Sequence, residues 1–167
     1  MKHVIITLGL LALVGCKDGK NEETNTKTEA AKPSAEATNE QNNDHSDKVS
    51  NVYQNAWTNE IVMNNGNKWQ ADAPTNEGVQ KMQNTMKTQT TSTLDAYHKL
   101  AEQLNDDKNN VVKNCTMQGA SHDNLHIWLL PLMDKIEALS ETKTVEDAAK
   151  IKQSIEENIN GYNTYFK

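Results

Sequence analysis

The chain has 167 residues with 23 acidic and 17 basic side chains, a formal net charge of −6. Every basic residue is a lysine, so the guanidinium fork that grips phosphates and base edges is missing, and the composition argues against nucleic-acid binding. The two cysteines, Cys16 and Cys115, are too few for a disulfide framework.

Met1-Lys2-His3 is a short basic start, and Val4 to Leu13 is apolar apart from Thr7 and Gly9. Such a run enters a translocon but is shorter than the roughly 20 residues of a spanning helix. Leu13-Val14-Gly15-Cys16 then resembles the lipobox of bacterial lipoproteins. The resemblance implies that residues 1–15 are a signal peptide and that Cys16 is acylated as the new N-terminus. More than one chain, palmitate among them, is needed for stable anchoring. With Cys16 taken by lipid, Cys115 has no intrachain partner, which calls for an explanation in an exported protein.

Residues 16–48 follow as a tether. After Cys16 they hold no apolar side chain beyond alanines and Pro33, too little to offset the entropy of ordering. As a coil the tether spans on the order of 30 Å. Lys17-Asp18 resembles the acidic surface-export signals of lipoproteins in the Bacteroidetes. Lys17 is also not the Asp of inner-membrane retention. The expected location is the cell envelope, at the outer membrane, on its periplasmic or surface face.

The folded domain is placed at 49–167. Tyr53, Trp57, Ile61 and Val62 fit one helix face, Asn64-Asn65-Gly66-Asn67 is a turn signal, and Trp69 and Pro74 fall in a loop. From Thr75, the spacing of Val79, Met82, Met86, Tyr97, Leu100 and Leu104 is helical for about thirty residues. The β-branched stretch Thr88 to Thr93 is weak as helix and permits a break. Asn105-Asp106-Asp107 reads as the start of a helix carrying Val111, Val112 and Cys115. Ser121 reads as the N-cap of the next, with His122, Leu125, Leu129, Leu132, Ile136 and Leu139 on one stripe and a kink at Pro131. Thr144 opens the last helix, with Ala148, Ile151, Ile155, Ile159, Tyr162 and Phe166 on its stripe. The prediction is an all-α fold, an antiparallel bundle of four helices.

One block concentrates the chemistry. Cys115, Met117, His122 and His126 lie within twelve residues around Gly119. The two histidines are four apart, so they share one side of a helix. Early in that helix the dipole disfavours imidazolium and favours the neutral, ligating ring. Thiolate, thioether and imidazole together suit copper first and zinc second, and do not suit calcium or magnesium. The metal set predicted from spacing is therefore Cys115, Met117, His122 and His126, with a turn at Gly119 folding the sulfurs toward the imidazoles. Taken singly, each residue also fits plain packing: Cys115 as a small buried apolar group, His122 as a hydrogen-bonded core histidine, Met117 as filler. Asp123 stands where a metalloprotease needs Glu, so protease chemistry is not read here. His98 reads as a surface residue, and Met82 and Met86 as bundle core.

Cys115-Thr116-Met117, Gly119, His122 and Leu125-His126, followed by Trp128 to Pro131, resemble a motif of small Bacteroidetes lipoproteins of uncharacterised activity. Trp69 and Thr75-Asn76-Glu77-Gly78 are similar to the same family. The resemblance implies a grouping, not a reaction. The architecture loosely resembles the four-helix cytochromes, but no Cys-x-x-Cys-His is present for covalent haem. The expectation is a membrane-anchored, non-enzymatic domain that holds copper for sequestration or delivery, with an envelope protein as its partner. The alternatives are a metal-free structural or protein-interaction bundle, and a bundle holding haem non-covalently between Met82 or Met86 and a histidine.

Overall fold

Four helices follow one another with short links in the computed structural model, which describes residues 52–167. They are α1 (Ala73–Thr88), α2 (Leu94–Asn114), α3 (Ala120–Glu141) and α4 (Val145–Tyr165). The expectations for residues 1–15, Cys16 and the 16–48 tether lie outside the described residues. Among the described residues, no helix is long and apolar enough to cross a membrane.

Local chemistry explains the boundaries. Asp72 caps α1 by accepting from the Thr75 N–H, and Pro74 lies in its first turn, where a missing N–H costs nothing. Pro74 is thus helical, not part of a loop. Thr93 and Thr144 cap α2 and α4 by accepting from the Ala96 and Asp147 N–H groups. α1 stops at Thr88 and Gln89 turns extended, so the threonine-rich stretch is a break. The predicted start at Asn105 is not one: α2 runs through it, because Leu104, Lys108 and Val111 continue the buried stripe of Leu100 and Ala101. Val112, assigned to that stripe, is 54% exposed.

The links between helices are short, so sequential helices run antiparallel. Contacts agree. His98 near the start of α2 reaches the Thr142 carbonyl after α3. The Tyr162 hydroxyl near the end of α4 donates to Asn76 Oδ1 near the start of α1 at 2.9 Å. Met82, Leu100, Leu104, Leu132, Leu139 and Ile155 fill the centre, fully buried. Trp128 meets Tyr162 edge-on at 4.9 Å, and Tyr162 stacks on Phe166 at 4.8 Å. α3 continues through Pro131 without interruption.

Ahead of α1, the predicted helix face over Tyr53–Val62 shrinks to a single 3-10 turn, Ala56–Asn59. Trp57 and Ile61 are buried, whereas Tyr53 and Val62 are exposed; two anchors suffice to dock a strap but not to extend a helix. Asn65 and Gly66 take φ of 50° and 80°, the left-handed pair of a tight reversal. Asn64 and Asn67 exchange hydrogen bonds across it at 2.9 Å. The chain then pairs with its own C-terminus: the Trp69 N–H donates to the Tyr165 carbonyl at 2.7 Å, and the Lys167 N–H to the Trp69 carbonyl at 3.0 Å.

Among the described residues, one cation is fully buried. Lys135 on α3 donates to Asn158 Oδ1 on α4 at 2.9 Å and to Asn55 Oδ1 on the strap. Asn55 also donates to Glu157 Oε2 at 3.1 Å. Burial pushes the Lys135 ammonium down to about 8, although Glu157 pulls the other way. A folded value below the unfolded 10.5 means that the unfolded chain alone holds the proton between those two pH values. Stability should therefore rise with pH across that window, with the full penalty present below it. Urea denaturation of the natural chain beside Lys135→Met should show the natural chain gaining stability relative to the variant from about pH 8 to 10. A difference that stays flat over that range would contradict the burial account.

Candidate metal centre

α2 ends because Cys115 leaves the helical region (φ −62°, ψ 127°) while its N–H still bonds the Val111 carbonyl at 2.9 Å. The next residue is clamped. Both the N–H and the hydroxyl of Thr116 donate to Asp72 Oδ2, while Asp72 Oδ1 accepts from the Thr75 N–H at 3.0 Å. One carboxylate thus caps α1 and holds the α2–α3 link against it. Burial alone would raise the Asp72 carboxyl, but the hydrogen bonds from Thr75 and Thr116 outweigh it and hold it at about 2.

Gly119 makes the turn into α3. Its φ of 62° and ψ of −150° lie in a region that is essentially glycine's alone. Its carbonyl accepts from the His122 and Asp123 N–H groups at 2.9 and 3.0 Å. This opening puts Ser121 inside the helix, where its hydroxyl donates back to the Gln118 carbonyl at 3.2 Å; Gly119, with no side-chain cap, holds the N-cap position.

The two imidazoles come together. The His122 and His126 rings lie 4.4 Å apart, centroid to centroid, inclined at 64°. His122 is half-buried, not a core residue, and His126 is exposed. Among the described residues, the histidine ring held by a hydrogen bond is that of His98, on the Thr142 carbonyl at 2.9 Å.

The sulfurs take other places. Cys115 and Met117 are half-buried and pack against the core. Burial pushes the Tyr162 phenol up, and Asp72 and Cys115 add to that. Among the described residues, no three His, Cys, Asp or Glu side chains gather as around a metal ion. The described geometry therefore brings His122 and His126 together and, among the described residues, gathers no third His, Cys, Asp or Glu with them. Met82 and Met86 are core residues, buried as expected.

No family model matches the chain, and neither a curated protein nor a solved structure is significantly similar to it.

Asp72 escaped the sequence reading, although Asp72-Ala73-Pro74-Thr75 carries a local capping signal. Replacing it separates its two roles. Asp72→Asn keeps an oxygen for Thr75 and loses the acceptor for Thr116, and should cost about 1 kcal/mol. Asp72→Ala loses both and should cost about 2 kcal/mol. Chemical denaturation near neutral pH measures both. Because the folded pKa is depressed, the natural chain should also lose its advantage over Asp72→Ala as pH falls from about 4 toward 2.

Proposed function

We propose that this is a lipid-anchored envelope protein, tethered through Cys16, whose helical bundle binds a transition metal at His122 and His126 for sequestration or delivery. Copper is the first choice and zinc the second. The observation that carries the reading is the ring pair itself, 4.4 Å apart on one side of α3. Two imidazoles on successive turns offer adjacent nitrogen donors, and among divalent first-row ions such donors hold copper(II) most tightly. The position helps. Both rings lie in the first two turns of α3, and His126 is exposed, so an ion can reach the pair. Cys115 and Met117 stand on the adjoining link as packing groups, and the role proposed for the pair is binding of the ion.

The competing reading is a metal-free interaction bundle. It is favoured by the lack of a third His, Cys, Asp or Glu beside the pair among the described residues.

Calorimetric titration of the untagged chain with copper(II) and with zinc decides between them. The expected result is saturable binding that His126→Ala weakens at least roughly tenfold, while His98→Ala leaves it unchanged. Binding that survives loss of both His122 and His126, or no binding at all, would overturn the proposal. For the anchor, Cys16→Ser should abolish labelling by a fatty-acid probe; persistent labelling would place the lipid elsewhere.

A further inference from the structure

Resting on the reading of His122 and His126 as a metal site, we propose that the ion is shared by two copies of the chain, each giving its histidine pair. Copper and zinc complete four positions. The pair fills two, and among the described residues no further His, Cys, Asp or Glu gathers beside it. The site is open on its outer side: His126 is exposed, as are Gln118, Ala120 and Asp123 around it. A second copy related by a two-fold axis through the metal brings an identical pair, because an isologous contact matches a surface patch with itself.

The neighbouring surface suits such a contact. Leu130 lies one turn beyond His126, so His122, His126 and Leu130 form a single i, i+4, i+8 stripe along α3. It is 54% exposed, a large apolar side chain left in water. Across the axis, two copies of α3 would cover this leucine. The contact depends on the ion. Each chain carries a net charge of −6, and Asp123 lies within one turn of His122, so two such faces repel when apposed without a cation. The bound ion replaces that repulsion with four coordinate bonds. Tethering on one membrane would raise the local concentration of copies and favour pairing further.

Native mass spectrometry of the purified full chain with zinc, followed by copper(II) paramagnetic resonance, tests this. The expected result is two chains per ion, a dimer that chelator dissociates, and a copper spectrum showing four nitrogen donors. His126→Ala should stay monomeric. Leu130→Glu should bind the ion but weaken dimerisation roughly tenfold, separating the contact from the ligands. One ion per monomeric chain, with two nitrogen donors, would overturn the shared site and leave metal binding intact. A dimer that ignores chelator would overturn it also. Absence of any ion at these histidines would overturn the metal reading itself, and the shared site with it.

Discussion

A lysine with no exposed surface has few ways to be satisfied in a helical bundle. Lys135 finds one between Asn158 on α4 and Asn55 on the strap. Asn158 is fully buried too, and its groups are used: Nδ2 donates to the Trp128 carbonyl at 3.2 Å, and its own carbonyl accepts from Trp128 Nε1 at 2.8 Å. Sliding α3 by one residue along α4 would break this set and leave a charge in the core without partners. Such an unpaired buried charge costs several kcal/mol, on the order of 3–5. The network therefore works against alternative registers more than it adds net stability. Through that register it also places the first turns of α3, and with them the histidine pair.

A second clamp acts on the other side of the pair. Asp72 holds Thr116 to the start of α1, and Gly119 reverses the chain between Thr116 and His122. The link is thus fixed at its beginning by two hydrogen bonds and at its end by a backbone shape that few residues adopt. The sulfurs of Cys115 and Met117 pack against the core, whereas His122 is half-buried and His126 exposed. In the proposed site one ligand, His126, is exposed to solvent, which suits exchange of an ion more than permanent burial of one.

The stripes of α3 and α4 were legible because Leu129, Leu132, Ile136 and Leu139, and then Ile151, Ile155 and Ile159, recur every three or four residues. The break after Thr88 was legible from β-branched residues that weaken a helix. The apparent start at Asn105 was not real: Asp106 and Asn105 are exposed, and polar residues on a solvated face interrupt a helix only weakly. Lys135 was invisible as a core residue. It sits between Leu132 and Ile136 on the buried stripe, but its partners lie 23 and 80 residues away, beyond any local pattern. The histidine pairing was readable from a spacing of four. The packing of Cys115 was legible as the plain alternative to a ligand, but the clamp on the next residue was not, because Asp72 lies 44 residues before Thr116.

The central claim is that His122 and His126 act together as the ligands of one ion. Long-range proton–nitrogen NMR of the imidazole rings during zinc addition observes this directly. The account predicts that the ring nitrogens of His122 and His126 shift together and saturate at the same zinc concentration, while those of His98, held on the Thr142 carbonyl, stay in place. Shifts at only one of the two rings, or at His98 instead, would contradict it.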